Sequence, residues 1–217
     1  MHSDAREPLV LMTDAAYWLV HHDVTGVCQT SGRAAGRMVA AGMLAELVDF
    51  STISVNRDRV SLLTPARGRQ RPGLDSLGVA VLGQIAAAPG LAPLEVIDGL
   101  APSIRKRVAQ RLIDAGRADR RRIRLFEQVA VAKAGDTAPA WVRGNLANKV
   151  DRGMALTAQE CFLLRLVQFS SMTGNPFTEA CSQNVGHALW QMGQIDRRYT
   201  DLLETATAAL LSTAVAR

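Results

Sequence analysis

Residues 103–126 read SIRKRVAQRLIDAGRADRRRIRLF, and the way this stretch divides decides how the rest of the chain is arranged. Ile104, Val108 and Leu112 recur at i, i+4 and i+8, with Ala101 and Ala115 beside the same stripe, which predicts a helix with one apolar face on a core. Gly116 follows directly, where a residue in the left-handed conformation ends many helices. Beyond it residues 117–126 lose the helical period, and RIRLF alternates basic and apolar side chains as a half-exposed strand does. The stretch is therefore expected to be a basic helix followed by a basic extended segment.

Its charge is local. Nine basic residues (Arg105, Lys106, Arg107, Arg111, Arg117, Arg120, Arg121, Arg122 and Arg124) stand against Asp114 and Asp119, a net +7, while the whole chain carries +5, which leaves −2 for everything else. A concentrated positive field is a statement about partners rather than fold. At about 1 kcal/mol per basic residue near an anionic leaflet, a cluster of this size makes a competent peripheral anchor. The expected anion-binding set is Arg105, Arg107, Arg111, Arg120, Arg121, Arg122 and Arg124, joined by Arg33 and Arg37 from the entry of an earlier helix. A solvated helix face is the plainer alternative. Nucleic acid is the runner-up partner, since phosphate contacts serve either polyanion, but only Phe126 is available to stack on a base.

Length and composition bound the rest. The 217 residues suffice for one good-sized core with no linker dividing them, so the expectation is a single domain over residues 1–217. With 48% hydrophobic and 21% charged residues and no apolar run of about 18, the composition is that of a soluble globular protein. The first ten residues, MHSDAREPLV, lack both the basic leader and the apolar core of a signal peptide, which predicts a cytoplasmic location, peripheral to the inner membrane face. Cys28, Cys161 and Cys181 have neither framework nor metal-knuckle spacing and are expected to be reduced, with Cys161 and Cys181 inert in apolar patterns. Only Lys106, Lys133 and Lys149 among the 25 basic residues are lysines, a usage resembling that of a GC-rich bacterium.

Taken in order, residues 8–22 predict a core helix through Leu11, Ala15, Trp18 and Leu19. His21, His22 and Asp23 follow too closely to converge on one metal ion. Residues 31–47 (SGRAAGRMVAAGMLAEL) carry an Ala35, Val39, Met43, Leu47 stripe while Gly32, Gly36, Ala40 and Ala41 keep the other sides small, which places this helix at the centre of a bundle. Residues 49–63 alternate around Asn56 and Asp58 as a β-hairpin. Residues 64–74 form an exposed loop carrying Arg67, Arg69 and Arg71. Asp75 caps a helix over 76–87, and a separate short helix is expected over 93–100. After the basic stretch, residues 127–135 suggest a hairpin or ordered loop, 137–150 a weak helix anchored by Trp141, and 157–169 a helix opened by the capping box of Thr157 and Glu160. Residues 178–192 and 196–215 complete the helices. The fold class is mainly α: a central helix bundle surrounded by amphipathic helices and short β-hairpins.

The motifs PLVLMTDAAYWLVHHDVTG, GMLAEL with its hairpin, and IRKRVAQRLIDAG running into RLF resemble the Golgi phosphoprotein 3-like family, with a core match over about residues 9–169. The resemblance implies a non-enzymatic peripheral membrane protein that binds anionic, phosphoinositide-type headgroups; eukaryotic relatives bind phosphatidylinositol 4-phosphate on the cytosolic Golgi face and hold glycosyltransferase tails there. Anionic lipid, membrane-protein tails and a second copy of the chain are thus the implied partners. The family's lipid-contacting tryptophan falls on Ser31, a nearby basic residue on Ala40, and its two lipid-contacting arginines on Pro102 and Arg105. The family hairpin that aids dimerisation and membrane insertion corresponds to the tract around 128–135, here less apolar. No Gly-rich phosphate loop, nucleophile elbow or HExxH helix is present, so no catalytic residue, metal or cofactor is expected, and His187 is read as a packed or surface histidine.

Overall fold

The computed structural model describes residues 11–63, 74–123, 128–170 and 197–215. Among them lie helices α1 (Met12–Val20), α2 (Gly32–Asp49), α3 (Ser76–Ala87), α4 (Pro93–Asp114), α5 (Ala138–Asp151), α6 (Ala158–Phe169) and α7 (Arg197–Val215), with strands β1 (Ile53–Val55), β2 (Val60–Leu62), β3 (Ala118–Arg122) and β4 (Gln128–Ala132). The mainly α expectation holds. Residues 64–73 of the loop expected over 64–74, Arg124 and Phe126, and the helix expected over 178–192 with Cys181 and His187 lie outside the described residues. No described helix is long and apolar enough to cross a membrane.

The small-residue helix is the centre, as its pattern predicts. Ser31 caps α2 by accepting from the Ala34 amide at 3.2 Å, and every residue from Ala34 to Val48 is buried. It packs against α1, α4 and α7. The glycines set how closely: a Cβ on Gly36 would sit 2.4 Å from the Ala101 carbonyl oxygen of α4, and one on Gly42 2.9 Å from Ala16 Cβ of α1.

The basic helix departs from expectation at its start. The sequence separates a short helix over 93–100 from the helix that follows, yet α4 runs unbroken through Pro102. An internal proline removes one ladder hydrogen bond and crowds the preceding turn, at about 3 kcal/mol. Burial of Ile97 and Leu100 before it, and of Ile104, Val108 and Leu112 after it, holds both halves on one core face and outweighs that cost. The end is as predicted: Gly116 has φ +68°, its amide donates to Ile113 O and the Arg117 amide to Leu112 O, each at 2.9 Å, the Schellman pattern.

Both hairpins form. β1 and β2 pair Ile53 with Leu62 and Val55 with Val60, and Asn56 Oδ1 accepts from the Arg59 amide at 2.9 Å to close the turn. β3 pairs antiparallel with β4, Arg121 opposite Val129. The other edge of β4 is occupied: the Tyr17 hydroxyl accepts from the Ala130 amide at 3.0 Å, and Asp23 O accepts from the Ala132 amide at 2.9 Å. The two predicted helix caps are present, with Asp75 Oδ1 accepting from the Gly78 amide at 2.8 Å and Thr157 and Glu160 forming their reciprocal pair.

These contacts make two glycine substitutions diverge. Gly36→Ala forces α2 from α4 and should destabilise by about 1–3 kcal/mol in urea unfolding. Gly83→Ala, on the exposed side of α3 with nothing within 4 Å, should be neutral or stabilise by about 0.5–1 kcal/mol.

Candidate anion-binding site

The arginines of the basic stretch have two fates. Arg111 is not on a binding face. Its side chain is only 11% exposed and meets Asp14, Glu46 at 3.2 Å and Asp75 at 3.1 Å, while Arg117 adds a 3.0 Å contact to Asp14. Glu46 also accepts from the Thr13 amide at 3.1 Å. Burial pushes the Asp14 and Glu46 carboxyls up, against the pull of Arg111. Burial likewise works against the Arg111 charge, but Asp14 and Glu46 outweigh it and its pKa moves up. Arg37 is also internal. Its guanidinium grips Asp98 with two hydrogen bonds at 2.6 and 2.9 Å and donates to Ala209 O, Ser212 Oγ and Thr213 Oγ1 at the end of α7. Arg37 and Arg111 therefore leave the expected site, because their buried guanidiniums are committed to internal partners, Arg37 to Asp98 and the end of α7, Arg111 to Asp14, Glu46 and Asp75.

Other cations converge on a pocket of about 490 Å³ between the first turn of α2 and the middle of α4, bounded by the start of the α1–α2 loop and by β4. Arg33, Arg105 and Lys106 supply charge, Ala101, Pro102, Ala109 and Val129 an apolar floor, and Gly32 an open wall. The amides of Gly32 and Arg33 belong to the first turn of α2, where no carbonyl within the helix can receive them, and the dipole there favours an anion. Asp98 lines the same pocket, with Arg37 compensating its charge from behind. Arg120, Arg121 and Arg122 stand exposed on β3; Arg120 donates to Gln110 at 2.9 Å and Arg121 to Val24 O at 2.9 Å. Arg107 is half-buried, and Arg124 lies outside the described residues.

His21, read from sequence only as a poor metal ligand, belongs to the pocket wall. Its Nδ1 lies 2.9 Å from Tyr17 O, which can only accept, so Nδ1 carries the proton. Nε2 is then a bare acceptor, and Arg105 Nη2 donates to it at 3.1 Å. The imidazole stacks on Tyr17 at 4.2 Å and is 1% exposed. Burial first, and the Arg105 charge second, lower its pKa to about 4, so the ring is neutral at ordinary pH and holds Arg105 in place without competing for an anion. Lys106 and Asp98 are further pocket residues absent from the expected set. Lys106 was legible as the neighbour of Arg105, whereas only the tertiary fold places His21 there. Cys161, as expected, is buried, and burial raises its thiol to about 11.

A mainly α domain with two small hairpins, carrying a cationic cleft where a helix N-terminus meets a basic helix, is the class that this fold and site define. The chain matches the family model described as Golgi phosphoprotein 3 (GPP34) over residues 11–217 and belongs to that family. No curated protein matches it. Of the four positions that the resemblance marks, Pro102 and Arg105 line the pocket and Ser31 caps the helix beside it. Ala40 is wholly buried, two turns further along α2.

Removing Arg111 leaves Asp14 and Glu46 buried with too little compensation. Arg111→Ala should lose about 3–5 kcal/mol in urea unfolding. The deficit should shrink as acid protonates the two carboxyls.

His21 gives the opposite pH sense. Its folded pKa near 4 lies below the ordinary 6.5, so the unfolded chain binds the extra proton first and stability falls as pH drops through that window. Relative to His21→Gln, the parent should lose at most about 1.4 kcal/mol per pH unit between these values, and none above neutrality. A stability difference independent of pH would mean that the ring titrates in the folded chain as it does in the unfolded one.

Proposed function

We propose that this chain is a non-enzymatic peripheral membrane protein that receives an anionic lipid headgroup in the pocket of Arg33, Arg105 and Lys106, and that it serves as an adaptor for membrane-protein tails. The observation that carries the reading is the convergence of three cations and a helix N-terminus on one open pocket, with its single carboxylate compensated by a buried arginine. A phosphate monoester or diester has the charge and size for such a cradle. Arg120, Arg121 and Arg122 add longer-range attraction, which is screened beyond about 8 Å at physiological salt. Family membership supports the lipid-binding adaptor role. No aromatic side chain is exposed among the described residues, which disfavours single-stranded nucleic acid as the alternative partner.

With Ser31, Ala40 and Pro102 at three of the four positions the resemblance marks, recognition here rests on charge more than on shape. The protein should therefore float with vesicles containing phosphatidylserine as readily as with vesicles containing phosphatidylinositol 4-phosphate at equal surface charge, and binding should fall steeply with salt. Arg33→Glu with Lys106→Glu should abolish flotation, and so should the triple reversal of Arg120, Arg121 and Arg122; both variants stay folded because the changes lie on the surface. A folded pocket variant that floats like the parent overturns the assignment. A parent that ignores vesicles but shifts duplex DNA with the same salt dependence puts nucleic acid in its place.

A further inference from the structure

The segment joining α1 to α2 leaves the pocket wall at His21 and re-enters it at Gly32. Between these points the chain folds on itself: the His22 amide donates to Val27 O at 2.9 Å, the Gly26 amide to His22 O at 2.7 Å, and His21 bridges Cys28. Gly26, at φ +70°, is pressed so closely on β4 that a Cβ there would lie 2.5 Å from Val129 Cγ2. That inward anchoring turns the residues on either side outward. Val24 is 65% exposed and Val27 50%, two β-branched apolar side chains in water on one short loop. Arg121, directly opposite Val129 in the hairpin, donates to Val24 O at 2.9 Å, so a guanidinium flanks the apolar tip. The tip, the β3 arginines and the pocket mouth thus adjoin one another through Val129, which touches all three neighbourhoods.

We propose that the Val24–Val27 tip is a membrane-insertion element: when a headgroup occupies the pocket, these two valines enter the interfacial layer of an anionic bilayer while Arg121 stays at headgroup level beside them. The inference rests on the lipid-headgroup reading of the pocket. Charge complementarity selects this occupant, because Arg121 flanks the apolar tip at Val24 O, Arg120 and Arg122 stand exposed on the same strand, and the pocket cations lie beyond Val129, against Asp23 and Asp119. A basic rim suits an anionic surface and repels a second copy of the same face. Rigid attachment to β4 means that little loop entropy is lost on insertion, and arginine tolerates the interface because its stem lies along apolar surface while its head stays wet.

The test is flotation of the intact chain with phosphatidylcholine vesicles containing phosphatidylserine, comparing the parent with Val24→Ser/Val27→Ser and with Val24→Leu/Val27→Leu, and with sedimentation velocity on each. Burial of two valine side chains corresponds to at least about a tenfold change in partitioning. The serine pair should bind at least tenfold more weakly and the leucine pair more tightly, with the salt slope unchanged because no phosphate contact is altered. Inorganic phosphate titrated by calorimetry should bind parent and serine pair alike, since the pocket is untouched. If the parent floats and the serine pair floats equally, insertion is wrong and the headgroup reading stands. If the parent neither floats at low salt nor binds phosphate, both fall. If the serine pair instead converts a dimer into a monomer with flotation unchanged, the valines form a seam between copies and the proposal is overturned.

Discussion

The site depends on the thinness of α2. With glycine at 36 and 42 and alanine at 34, 35, 40, 41 and 45, this helix lets backbones approach where larger side chains would hold them off. The Gly36 contact with Ala101 fixes where α4 lies, and the residues next along α4 are Pro102, Arg105 and Lys106. Across the gap stand Gly32 and Arg33, one turn before Gly36. The pocket is therefore the edge of a tight helix crossing: where small residues stop matching, the two helices part and their first unmatched side chains face each other. Individual dispersion contacts are worth only about 0.1–0.2 kcal/mol, but a dense crossing makes many of them, and a site built at its margin inherits its rigidity.

The same crossing sorts the positive charge. Arg105 and Arg111 lie on one helix six residues apart, and one faces a pocket while the other is enclosed by three carboxylates. Isolated burial of such carboxylates is costly, and a replacement apolar cluster of equal volume would serve stability as well. What the ionic cluster supplies is connectivity. Asp75 caps α3 with one oxygen and meets Arg111 with the other, Glu46 binds the first turn of α1 as well as Arg111, and Asp14 receives both Arg111 and Arg117. α1, α2, α3 and α4 are held to one guanidinium, and α4 cannot slide by a turn without stranding charges.

Much of this was legible, and the misses have physical reasons. The small-residue helix, the Gly116 stop, the Asp75 cap and the Thr157–Glu160 box are local signals, and each formed as read. The break expected before the basic helix did not occur because tertiary burial on both sides of Pro102 overrode a local penalty. Arg111 carried a signal that net charge concealed: it stands three residues after Val108 and seven after Ile104, on the apolar stripe itself, where an arginine must find buried carboxylates. Arg37 lies on a helix buried all round, and the same logic applies. Counting charge along a sequence says how much field there is; only the helical phase of each residue says where it goes. His21 gave no such signal, since its role depends on the orientation of Tyr17 O and on α4, both set by folding.

The phase of each charge also sets how it responds to solvent. Within the Arg111 cluster the Arg111, Asp14 and Glu46 side chains are nearly excluded from water and respond little to salt, so folding does not depend on ionic strength in the way that binding does. Among the pocket cations Arg105 is half-buried while Arg33 and Lys106 are exposed, and the β3 arginines stand in water, where their field fades over a Debye length. A surface charge that also held the fold together would have to give up that bond on meeting a ligand. Here the groups divide the work: Arg37 and Arg111 stay committed inside, His21 keeps Arg105 oriented while bearing no charge of its own, and Asp98 is neutralised from the side facing away from solvent. An arriving anion therefore meets Arg105 already held in orientation by the neutral His21 ring, and the Asp98 carboxylate that lines its way in is already paired with Arg37.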